Sequence, residues 1–142
     1  MNSNQRKILL AFSTVAGKGL MKEVFTQMDR RIRIDFAGNE TDILYYLSRH
    51  RSKFLPGLII FDNPPVTPAI AEFIDNIHKD DPFVEIPIAL VLSPPDIPAM
   101  QKWVRSQGMH FFPRPTLPSE CKLYVRQMLG FYNDPSMLRL AL

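Results

Sequence analysis

The chain has 142 residues, enough for one domain with a buried core and short for two. Its charged share is 22% and its net charge +3, which is too mild for a nucleic-acid-binding stripe. One cysteine, Cys121, excludes an internal disulfide and suits a reducing compartment, the polar start lacks a secretory h-region, and no apolar run is long enough to span a membrane.

The apolar run KILLAF at 7–12 reads as a strand buried on both faces. A loop with two glycines, 13–19, follows. Leu20, Met21, Val24, Phe25 and Met28 then form one helical stripe over 20–30. Residues 31–37 alternate, as a half-covered or edge strand does. Asn39 is the N-cap of a helix through His50, with Ile43, Leu44 and Leu47 inward. After the Pro56-Gly57 break, residues 58–61 form the second buried run, which ends in Asp62. Thr67 and Pro68 open a helix whose Ile70, Phe73, Ile74 and Ile77 keep the i, i+3, i+4, i+7 spacing. Residues 79–85 are a polar loop, and 86–92 are the third buried run. A helix opened at 96–98 turns Met100, Trp103 and Val104 inward and is closed by Gly108. A short strand at 110–113 precedes a last helix from Pro118, with Cys121, Tyr124, Val125, Met128 and Leu129 on one face.

Strand and helix thus alternate five times, which predicts a parallel sheet covered by helices on both faces. Ligands bind such sheets beyond the carboxyl ends of the strands. Asp62 falls there, on the strand expected to be central.

Other chemical signals are thin. Gly17-Lys18-Gly19 lacks the glycine spacing and the Ser/Thr of a phosphate loop. His50, His78 and His110 have no metal-ligand spacing with one another or with Cys121, which reads as helix core. No nucleophile–base set is visible, and the chain does not read as an enzyme. The basic groups at 30–33 and 49–53 read as a solvated rim. The apolar tail, with Met137, Leu138, Leu140 and Leu142, either packs back on the helices or docks a partner, or else frays.

From residue 7 to 129 the chain resembles the receiver domain of response regulators. KILL at 7–10 resembles that family's first strand, and PGLIIFD at 56–62 the strand ending in its phosphoacceptor aspartate. IPI at 86–88 resembles the start of its fourth strand. Gly108-x-x-x-Phe112-x-Arg114-Pro115 resembles the segment that ends in its Lys-Pro. The resemblance implies a flavodoxin-like, CheY-like α/β sandwich with a five-stranded parallel sheet in the order 2-1-3-4-5. The receiver-like domain would span 1–130, followed by a short tail, 131–142, with no effector domain.

The resemblance also implies a site. Asp62 is the phosphoacceptor, and Ser13, Asn63, Leu92, Ser93 and Arg114 are the phosphoryl-pocket candidates. Phe111 takes the place of the family's switch aromatic. The family's acidic cluster, which helps bind Mg²⁺, falls on Phe12, Ser13 and Thr14. Its fourth-strand Thr/Ser falls on Leu92, one residue before Ser93, and its lysine on Arg114. Asp62 alone should hold Mg²⁺ weakly, and Phe12 should set a ring near the metal position. Arg114 would pair with phosphate or with Asp62. Such a standing pair would either mimic the phosphorylated state or lock the resting one.

Three functions follow. The first is a stand-alone cytoplasmic receiver taking phosphate at Asp62 from a histidine kinase. The second is a phosphate-independent module that binds other signalling proteins, with no nucleic-acid or membrane partner. The third is a small-molecule binder on the same scaffold. The face of the fourth helix, fifth strand and fifth helix, with Lys102, Arg105 and Lys122 around Phe111 and Tyr124, is the expected surface for partners or a homodimer.

Overall fold

The computed structural model describes residues 6–49, 55–65, 67–80, 83, 86–106, 109–115 and 117–133. Five strands, β1 (Arg6–Ala11), β2 (Ile32–Ala37), β3 (Leu58–Asp62), β4 (Ile88–Leu92) and β5 (His110–Pro113), pair in parallel. Their order is 2-1-3-4-5, as expected. Five helices alternate with them: α1 (Val15–Met28), α2 (Glu40–Arg49), α3 (Pro68–Lys79), α4 (Ile97–Ser106) and α5 (Pro118–Asn133).

The period-2 geometry of the strands sorts their side chains into two cores. Leu9, Ile59, Phe61, Leu90 and Leu92 meet α2, α3 and α4. Ile8, Leu10, Leu58, Ile60, Val91 and Phe112 meet Met21, Val24 and Phe25 of α1 and Cys121, Val125 and Met128 of α5. Every residue of β3 and β4 is buried, which is why these segments read as unbroken apolar runs. β2 is an edge strand, as its alternation suggested. It covers part of its polar character through the Arg33–Asp35 pair and a 2.7 Å bond from the Tyr46 hydroxyl to Asp35.

Some boundaries and faces move. The α1 helix begins at Val15, inside the expected glycine loop, because Thr14 caps it: its Oγ1 accepts the Gly17 N–H at 3.1 Å. In α2, Leu44 is 53% exposed rather than inward. The buried stripe is Ile43 and Leu47 with half-buried Tyr46, whose phenol is satisfied by Asp35. The β4 strand starts two residues late, after Pro87, which has no N–H for the ladder. The last helix runs to Asn133, past the expected domain end at 130. His50, Gly108 and the tail beyond Asn133 lie outside the described residues. Among the described residues no helix is long and apolar enough to cross a membrane.

Candidate functional site around Asp62

The order 2-1-3-4-5 sends the chain to opposite sides after β1 and after β3, and a crevice opens where the two turns part. Asp62 ends β3 at that crevice and is the one buried charged residue among those described, at 7% exposure. A carboxylate so placed needs a hydrogen-bond donor. Ser13, just past β1, supplies it: its hydroxyl donates to Asp62 Oδ2 at 2.5 Å. Asp62 Oδ1 has no hydrogen-bond partner among the described residues.

The chain reaches this geometry through Phe12, whose φ of 66° is in the left-handed region. For a bulky residue that conformation costs on the order of 1–3 kcal/mol. It is held by the Phe12 N–H bond to Ala37 O at 3.0 Å and by the ring, which packs tilted on Phe61 with centroids 5.4 Å apart. Phe12 therefore belongs to the core near Phe61 and Phe73, and it does not line the cavity beside Asp62.

Gly17, in the first turn of α1, is required by this arrangement. A Cβ there would meet Ser13 Oγ at 2.6 Å and Asp62 Oδ2 at 2.9 Å. The helix backbone thus closes over the oxygen that Ser13 already occupies. Gly17 was missed as a site residue because its sequence neighbourhood reads as a flexible loop. The signal that could have found it is Thr14, an N-cap residue three positions earlier.

Beyond the turn lies a cavity of about 190 Å³ lined by Ala16, Gly17, Leu20, Met21, Asp62, Arg114 and Pro115. The ion pair expected between Arg114 and Asp62 is not formed. The Arg114 side chain is exposed and makes no ion pair among the described residues, while its backbone N–H continues the β4–β5 ladder to Leu92 O at 2.8 Å.

Across β3, Asn63 also sits at positive φ, 59°, a conformation that asparagine tolerates. Its N–H donates to Val91 O at 2.6 Å, and its side-chain Oδ1 accepts the Ser93 hydroxyl at 2.8 Å. Ser93 therefore comes to the end of β3, whereas Leu92 points into the core at 0% exposure. Phe111 is half-buried against the α2, α3 and α4 core. On the other face, Cys121 is buried, and burial first, the Asp62 charge second, pushes its thiol up to about 11. Ser13, Asp62, Asn63, Ser93 and Arg114 thus gather at one end of the sheet, while Leu92 and Phe111 stay with the core.

The receiver resemblance implies Mg²⁺ here, and the donor set does not fit it. A divalent magnesium ion wants several oxygens in octahedral order. Among the described residues Asp62 is the one carboxylate lining this cavity, its Oδ2 is taken, and the other charged group there is a guanidinium. Among the described residues no three His, Cys, Asp or Glu side chains group as a metal site.

No family model matches the chain, and no curated protein matches it in sequence. Solved structures do match its fold. The phosphorylated cyanobacterial phytochrome response regulator RcpA superposes with a TM-score of 0.75 at 15% identity, over 92% of this chain and 96% of that one. The Mn²⁺-bound response regulator Rcp1 gives 0.66 at 16% identity, over 91% and 95%. An adenylate cyclase of Rhodopirellula baltica gives 0.67 at 13%, over 94% and 93%. The chain thus has the CheY-like receiver fold. One fold carries these different names, so function has to be argued from the site.

Proposed function

We propose that this protein is a receiver-type signalling module of a two-component system, with Asp62 as its phosphoacceptor and a degenerate metal site. The observation that carries this reading is the buried Asp62 carboxylate at the carboxyl end of the central strand, in a cavity that Arg114 also lines. Phosphoryl transfer to a carboxylate is chiefly a matter of positioning and charge neutralisation. Asp62 Oδ1 supplies the nucleophile, Ser13 fixes the carboxylate's orientation, and Arg114 supplies a planar donor fork suited to phosphoryl oxygens. The donor would be a histidine kinase in the cytoplasm. Partners or a second copy would meet the face of α4, β5 and α5, where Lys102, Arg105 and Lys122 are exposed. The test is incubation with acetyl phosphate, read by intact mass and peptide mapping. One phosphoryl group on Asp62, absent in Asp62→Ala, is expected.

A second reading, a phosphate-independent interaction module, is favoured by the Ser13–Asp62 bond and the close fit of Gly17, which hold the carboxylate as a structural link. On that reading acetyl phosphate leaves the mass unchanged, while Asp62→Asn retains partner binding.

A further inference from the structure

We infer that Asp62 takes its phosphoryl group without a divalent cation, Arg114 meeting the charge that a metal would otherwise meet. The inference rests on the phosphoacceptor reading and concerns how that site is neutralised.

Three observations carry it. The first is the donor count. Where a metal site would need a second carboxylate beside Asp62, the chain places the Ser13 hydroxyl, spent as a donor to Asp62 Oδ2. A hydroxyl used in this way offers a metal no anionic charge.

The second is access. The α1 backbone at Gly17 lies so close to Oδ2 that even a Cβ, at 2.9 Å, would crowd it. Ser13 and the α1 backbone therefore crowd that oxygen, and Oδ1 is the one left without a hydrogen bond among the described residues.

The third is the sign of the remaining charge. Arg114 lines the same cavity, and no ion pair among the described residues neutralises it. A free guanidinium repels a divalent cation and attracts a phosphoryl group, to which it can offer two parallel N–H donors.

The step balances without a metal. With acetyl phosphate as donor, an Asp62 Oδ1 lone pair forms the new P–O bond. The P–O bond to acetate breaks, its electron pair leaves with acetate, and no proton is gained or lost. Arg114 stays protonated throughout and lies on the phosphoryl oxygens.

The experiment measures the rate of acetyl-phosphate labelling of the full chain in excess EDTA and in millimolar Mg²⁺, read by intact mass. Wild type, Arg114→Lys, Arg114→Gln and Asp62→Ala are compared. Arg114 is exposed, so its variants should fold, and circular dichroism checks this. Wild type is expected to label at Asp62 at rates within about twofold in the two conditions, with Arg114→Gln slower by about tenfold or more. Arg114→Lys, which keeps the charge and loses the fork, should fall between. Labelling that requires Mg²⁺ overturns the inference and leaves the phosphoacceptor reading standing. Labelling in EDTA that survives Arg114→Gln also overturns it, because the charge is then met elsewhere. No labelling in either condition overturns the phosphoacceptor reading itself, and the inference with it.

Discussion

Two turns flank the end of β3, and each brings a serine to it. After β1, Ser13 donates to the Asp62 carboxylate at 2.5 Å. After β4, Ser93 donates to the Asn63 amide oxygen at 2.8 Å. The first bond is charge-assisted, and the α1 backbone packs against it at Gly17. The second is neutral and secures a residue at positive φ. One turn therefore holds the carboxylate proposed as phosphoacceptor, while the other controls the path of the chain. Leu92 makes the contrast plainer: the receiver resemblance expected it in the phosphoryl pocket, yet it packs wholly in the core. Leu92→Ala is expected to cost about 2–5 kcal/mol in urea unfolding, because the lost contacts leave a cavity. It should leave acetyl-phosphate labelling of the folded protein unchanged. A large labelling defect at retained fold would place Leu92 in the pocket and dissolve the distinction.

The two serine bonds can be weighed directly by double-mutant cycles. Ser13→Ala with Asp62→Asn should give a coupling of about 1.5–3 kcal/mol, the range for a bond to a charged group. Ser93→Ala with Asn63→Ala should give about 0.5–1.5 kcal/mol, the range for neutral partners. Equal couplings would mean that the carboxylate at the crevice is no better held than the amide beside it. The distinction between the two turns would then fail.

The same turn separates two glycines that look alike in sequence. A Cβ at Gly17 would collide with Ser13 and Asp62, whereas one at Gly19 would meet nothing within 4 Å. Gly17→Ala should destabilise by about 1–3 kcal/mol as the site is forced apart. Gly19→Ala, in an exposed helical position, should stabilise by about 0.5–1 kcal/mol. Thermal unfolding of the two variants checks both signs. If both stabilise, Gly17 is a helix glycine like any other and the crevice has slack.

This pair also marks how far the sequence could be read. Both glycines stood in an expected loop, because the need for Gly17 comes from Asp62, a residue remote in sequence that meets it only in the folded sheet. The sheet itself was legible: residues 8–11, 58–61 and 88–92 are short continuous apolar runs, and their length and their alternation with helical stripes favour strands buried on both faces. Asp62 was legible for the same reason, as the polar residue that ends the central run. Leu44 was misplaced because Leu44 and Tyr46 both neighbour the Ile43–Leu47 stripe. The choice between them was made by Asp35, which accepts the Tyr46 phenol and lets it lie half-buried. The Arg114–Asp62 pair was one of two pairings, with phosphate the other, that the receiver resemblance implied for Arg114. Instead Ser13, shorter and closer, took the carboxylate, and Arg114 was left at the rim.

The last prediction concerns an effect that vanishes at neutral pH. Cys121 is buried on the α5 side, and burial together with the Asp62 charge raises its thiol from 9.0 to about 11. Below pH 9 the thiol is protonated in both folded and unfolded chains, so it adds no pH dependence. Between pH 9 and about 11 the unfolded chain releases this proton first, and stability falls as pH rises. Tyr46 adds a loss of the same sign above pH 10, because burial first and its bond to Asp35 second raise its phenol too. Urea midpoints taken across this range should decline less steeply in Cys121→Ala than in wild type, and Tyr46→Phe should flatten the upper part of the curve. In Asp62→Asn the Cys121 contribution should still set in near pH 9 but level off at lower pH and be smaller, because the carboxylate charge is gone while the burial remains. That change would show that the Asp62 charge reaches through the sheet to α5. A decline identical in wild type and Asp62→Asn would confine Asp62 to its own crevice.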